Sequence, residues 1–104
     1  MIYVTTAQVE GKEIATSLGT VRGSTVRARN VGRDIFAGLK NLVGGEISEY
    51  TKLLADAREQ AIRRMLDDAQ RMGAEGVVSV RFTTSQVMQG AAEMLAYGTA
   101  VKFK

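Results

Sequence analysis

The longest periodic stretch, Ser48 to Met72, decides most of what this chain can fold into. At about 100° per residue, Tyr50, Leu53, Leu54, Ala57, Ala61, Met65, Ala69 and Met72 fall on one arc of a helix. Glu49 sits in the first turn, and Gly73 stands where a left-handed stop belongs. Ile62 and Leu66 widen the arc to about 220°, more than one sheet face covers. Arg64 and Asp68 fall inside the arc. The pattern predicts a helix that packs on its own sheet and also on a neighbouring subunit. The Arg64/Asp68 pair is expected to form a structural network or an intersubunit salt bridge.

The flanks read as strands. Residues 2–9 are rich in β-branched and aromatic types, and Glu10-Gly11-Lys12 supplies a turn. In the segment 13–28, Ile14, Leu18, Val26 and Ala28 share one parity while Val21 has the other. A change of face needs an inserted residue, so bulges are expected at Gly19 and Gly23. The segment is then one long bent strand or two strands with a tight corner. Val78, Val80 and Phe82 alternate in a strand over 76–84, and Leu95, Tyr97, Val101 and Phe103 share the apolar parity of another over 94–103. A loop centred on Gly90 is expected over 85–93. A short helix over 32–43 carries Ile35, Phe36, Leu39, Leu42 and Val43, with Asn30 as its cap and Gly44-Gly45 as its end. The order predicts a single α+β domain over 1–104: an antiparallel sheet of bent strands packed on one long and one short helix.

Composition then narrows the chemistry. The 104 residues suit one domain, and a protomer this small leaves association with its own copies open. There are no cysteines and no histidines, which excludes disulfides, thiolate or imidazole metal ligands, cysteine nucleophiles and histidine acid–base catalysis. Proline is absent, so the 11 glycines supply the turns and caps. No segment has the pattern of a signal peptide or a membrane span, and the expected compartment is the cytoplasm. The net charge of +3 is a mild bias.

Candidate ligand-binding residues follow from local chemistry. Arg22, Arg27, Arg29 and Arg33 place four guanidinium forks in a stretch without an acid until Asp34. Arg29, Asn30 and Arg33 approach a helix start, which favours phosphate or carboxylate; the bland alternative is a charged strand edge. Gly44-Gly45-Glu46 reads either as a lip with backbone N–H groups facing a ligand or as a helix–helix turn. It lacks the Lys and Ser/Thr of a P-loop. Tyr50 and Arg58, read on adjoining turns of the long helix, could line a pocket. No run of carboxylates has the spacing of a hard-cation loop, so no metal ligands are assigned within one chain. No aromatic residues interleave with the arginines, which argues against nucleic acid.

Taken in order, Thr5-Thr6, Glu10-Gly11, Gly19-x-Val21-x-Gly23, Asn30-x-x-Arg33-Asp34-x-x-Ala37, Gly44-Gly45 and Tyr50 form an extended pattern. Ala57-Arg58-x-x-Ala61, Gly73-Ala74, Val77-Val78-x-Val80 and Gly98-Thr99-Ala100-Val101 complete it. The set resembles the YbjQ-like family of small bacterial and archaeal proteins, which carries a heavy-metal-binding label. That resemblance implies a dodecin-like α+β subunit in a ring-shaped homo-oligomer, a pentamer. It implies no activity or cofactor, and without Cys or His the soft-metal label has no donors here. The expected function is a non-enzymatic homo-oligomeric domain that binds a small anionic ligand or a protein partner. The alternatives are an enzyme with a carboxylate/arginine site between subunits, using Asp34 or Glu46 as base, and a purely structural ring scaffold.

Overall fold

The computed structural model describes residues 1–27, 48–88 and 91–104, with side chains over 1–26, 54–85 and 93–104. Four strands, β1 (Ile2–Tyr3), β2 (Ile14–Arg27), β3 (Gly76–Met88) and β4 (Ala91–Phe103), form one sheet in the order β1-β3-β4-β2. The helix α1 (Ser48–Arg71) lies across one face of it. The architecture is α+β, as expected, but the sheet is mixed: β1 runs parallel to β3, while β2 and β3 are antiparallel to β4. The expected first strand shrinks to two residues. Beyond it Val4 donates to the Val77 carbonyl, and the Val4 and Thr6 carbonyls accept from Val80 and Ser79, so the segment follows β3 without a regular ladder. The short helix expected over 32–43 lies outside the described residues.

α1 ends where the sequence places its stop. Gly73 has φ of +78°, and the Gly73 and Ala74 N–H groups donate to the Gln70 and Ala69 carbonyls, the paired bonds of a Schellman cap. β2 is a single strand of 14 residues whose register shifts lie at Ile14/Thr16 and Ser17/Gly19. Gly19, with φ of +127°, marks the bulge that turns Val21 to the helix side. No second bulge occurs at Gly23, which pairs regularly with Ala96. Val26 therefore stays on the outer face and is 56% exposed.

The reason for Gly23 is the helix itself. A Cβ there would overlap the Met65 nitrogen and the Ala61 carbonyl oxygen and lie 2.7 Å from the Arg64 carbonyl carbon. α1 thus rests directly on the β2 backbone. The surrounding core is built from small side chains: Ala61 and Ala69 on α1, and Ala96 and Ala100 on β4, with Val21, Met65, Val77 and Val80 filling the space between. Close approach of backbones needs small residues, and this corrects the parity read for β4. The helix side carries Met94, Ala96, Gly98 and Ala100, whereas Leu95, Tyr97, Val101 and Phe103 face the other way. In β3, Ser79 adopts φ of +55° at a bulge between Val78 and Arg81, so Val77 and Val80 join the core while Val78 is buried on the opposite face. The loop expected over 85–93 is largely strand; residues 89–90 lie outside the described set.

Arg64 and Asp68 do not pair with each other. Asp68 accepts a hydrogen bond from the Arg22 N–H at 3.2 Å, and the Arg64 guanidinium donates to the Ser24 carbonyl at 2.5 Å. Both groups satisfy the outer edge of β2, which is an edge strand. Asp68 also meets Arg71 at 3.7 Å, an exposed pair worth little by itself. No helix among the described residues is long and apolar enough to cross a membrane.

Candidate functional site

α1 covers β2 and β4 and leaves the helix side of β3 open. Cross-strand register aligns Phe82, Ala96 and Gly23 in one row and Thr84, Met94 and Thr25 in the next. The helix backbone occupies the Gly23 end of the first row. At the other end, Phe82 is 43% exposed. The space between the helix flank and β3 is an open groove of about 660 Å³, lined by Arg58, Glu59 and Ile62 of α1 and by Phe82, Thr84 and Met94 of the sheet.

The groove has an aromatic and aliphatic floor with a cation and an anion side by side on its helical wall. Arg58 and Glu59 are both exposed. Thr25, at the buried end of the second row, is 3% exposed, and its hydroxyl has no hydrogen-bond partner. An unpaired buried hydroxyl costs on the order of 1–3 kcal/mol. This arrangement suits binding: neighbouring charges over apolar floor can anchor a surface.

Of the residues singled out from sequence, Arg58 is in the groove. Tyr50 lies within the first turn of α1, where no side chain is described. Arg29, Asn30, Arg33, Asp34, Gly44, Gly45 and Glu46 lie outside the described residues. The arginine run does not share one face over its described part, because Arg22 and Arg27 are five positions apart on regular strand. Phe82, Ile62 and Glu59 as groove residues were not legible, since a groove of this kind depends on where α1 stops covering the sheet. Also unforeseen is a row on the opposite face, where Tyr97 of β4 pairs with Arg22 of β2 on one side and Arg81 of β3 on the other.

Comparison with known proteins places this fold and sequence. The family model described as "Putative heavy-metal-binding" matches residues 1–104. A UPF0145 protein of Methanosarcina acetivorans is 60% identical over 102 residues, covering 98% of this chain and 96% of that one. A UPF0145 protein of Colwellia psychrerythraea is 53% identical over 104 residues, covering 100% and 99%. A crystal structure of a protein of unknown function from Pediococcus pentosaceus, assigned to the DUF74 family, superposes with a TM-score of 0.66. It is 15% identical and covers 100% of this chain and 98% of that one, a likeness of fold. The donor set does not fit the label's heavy metal: the chain has no Cys or His, and no three carboxylates come together among the described residues. With the whole length matched by the model and by relatives this similar, the chain belongs to the YbjQ family of UPF0145 proteins.

Proposed function

We propose that this chain is a non-enzymatic homo-oligomeric domain that binds a small anionic ligand. Its dodecin-like subunit closes into a ring of five copies, the number that the family resemblance implies. The observation that carries the assembly is the half-covered sheet. Phe82, Ile62 and Met94 line a groove that α1 leaves open. Past Val80, no described residue pairs with the outer edge of β3. Exposed apolar floor beside an unpaired strand edge is a surface that monomeric proteins avoid.

A second copy seated in the groove covers Phe82 and meets Arg58 and Glu59 with charges of its own. A ring of five requires a head-to-tail contact, in which the surface that enters the groove differs from the groove. The anionic ligand is supported by the net charge of +3 and by the arginines of β2 and β3.

Native mass spectrometry of the wild-type protein and of a Phe82→Asp variant tests the assembly. The reading expects five protomer masses for the wild type and one for the variant. A wild-type monomer at micromolar concentration overturns it.

A further inference from the structure

The two edges of the sheet are each closed over one part of their length and open over the rest, at the same end. On β2 the Arg22 N–H donates to Asp68 and the Ser24 carbonyl accepts from Arg64, so side chains of α1 cap this edge as far as Ser24. On β3 Val80 donates to the Val4 carbonyl, and the Arg81 guanidinium bridges the Val80 and Thr5 carbonyls, which closes that edge as far as Val80. Beyond these points no partner among the described residues meets either edge.

Alternation along the strands identifies the groups left over. The Arg22 N–H points away from β4, so its neighbour Tyr97 turns its own N–H and C=O toward β3 and exchanges both bonds with Arg81. The register is regular from there, over Arg22 to Arg27 on β2 and over Arg81 to Gln86 on β3. Val26 on one edge, and Phe82, Thr84 and Gln86 on the other, therefore present N–H and C=O outward. Val26 pairs with Glu93 and Glu93 with Ser85, so the two open stretches stand at the same height.

Neither stretch carries the usual protection of an exposed edge. The run from Phe82 to Met88, FTTSQVM, has no charge, glycine or proline. Val26 is β-branched and 56% exposed. β2 and β3 both run antiparallel to β4, and so parallel to each other. A rotation axis along the strands brings the β2 edge of one copy against the β3 edge of the next, with strand direction and side-chain faces preserved.

We infer that the end of β2 in a second copy adds to the outer edge of β3 as a parallel strand, so that the sheet continues from copy to copy. The inference rests on the homo-oligomer reading and names the backbone groups that join the copies. At equal height the partner's Val26 lies opposite Ser85. Its N–H donates to the Thr84 carbonyl and its carbonyl accepts from the Gln86 N–H, the bonding of a parallel pair. Because α1 rests on β2, the same contact carries the partner's helix over Phe82 and into the open groove. The flank of α1 beside the β2 edge carries Arg64 and Asp68, and the groove wall carries Arg58 and Glu59, a cation and an anion on each.

Native mass spectrometry and circular dichroism of Val26→Pro and Val26→Thr, over a dilution series, test the added strand. Proline is tolerated on an edge strand where its missing N–H would face outward, so Val26→Pro should keep the helical signal of the wild type. It should raise the concentration of half-assembly at least about hundredfold, because a donor is lost and a ring stands against the incoming edge. Val26→Thr keeps the donor and should assemble within about threefold of the wild type. A folded Val26→Pro protein that assembles like the wild type overturns the added strand and leaves the groove contact standing.

Residue-resolved amide exchange in the wild type decides the question where the proline variant does not fold. The Val26 and Gln86 N–H groups should exchange at least about tenfold more slowly in the assembled protein than on dilution. Equal rates in the assembled and dissociated protein overturn the added strand alone, whether both groups are exposed throughout or protected throughout by their own chain. A wild type that stays monomeric overturns this inference and the homo-oligomer reading together.

Discussion

The two halves of the helix-side sheet face are built on opposite principles. Over β2 and β4, α1 sits so close that glycine and alanine are required, and Gly23, Ala61, Ala69 and Ala96 form a seam with almost no exposed surface. Over β3 a few ångströms away, the same face carries a large aromatic side chain left 43% exposed. Small residues belong where a backbone of the same chain arrives, and large ones where nothing of the described chain does. The difference teaches that only part of the apolar content of this sheet holds the described fold together, and the proposed assembly gives the rest a role.

The seam is the place to break the fold. Gly23→Ala inserts one methyl group into the helix backbone, and α1 has no side chain to move out of the way. The variant should lose about 3 kcal/mol or more in urea unfolding, and a loss below about 1 kcal/mol would mean that α1 does not rest on β2. The open half should respond in the reverse manner. Phe82→Asp should keep the helical circular dichroism signal yet abolish assembly; a variant that unfolds instead would place Phe82 in the protomer core.

Smaller effects sharpen the boundary between the halves. Asp68→Ala removes the carboxylate that accepts the Arg22 N–H at the β2 edge, and should cost about 1 kcal/mol. No loss would show that this edge needs no cover. Thr25→Val replaces a buried, unpartnered hydroxyl by a methyl group of similar size. It should stabilise the protein by roughly 1 kcal/mol, read as a rise in melting temperature. Destabilisation would mean that the hydroxyl has a partner in solution.

Much of the protomer was legible because local rules govern it. The period of α1 and its stop at Gly73 depend only on the residues near them, and Gly19 marks a real bulge. The faces of the strands were harder to read. Leu95 and Tyr97 have the parity that hydrophobicity assigns to a core, yet Ala96 and Ala100 occupy it, because a close-packed helix selects for size over hydrophobicity. Gly23 gave a true signal with the wrong cause, a close approach in place of a bulge. The candidate site was the least legible part. Arg58 belongs to a groove whose floor comes from β3, so the grouping does not exist until the strands are paired.

The central claim, that a second copy covers the open half of the sheet, is tested most directly by amide hydrogen exchange along β3. Exchange should be compared in the wild type at high and low protein concentration and in Phe82→Asp. The account predicts that the amides around Phe82 and Thr84 are protected when concentrated and exchange at least about tenfold faster on dilution and in the variant, while Val77 and Val80 stay protected throughout. The same rate at Phe82 and Thr84 at every concentration and in the variant would contradict it.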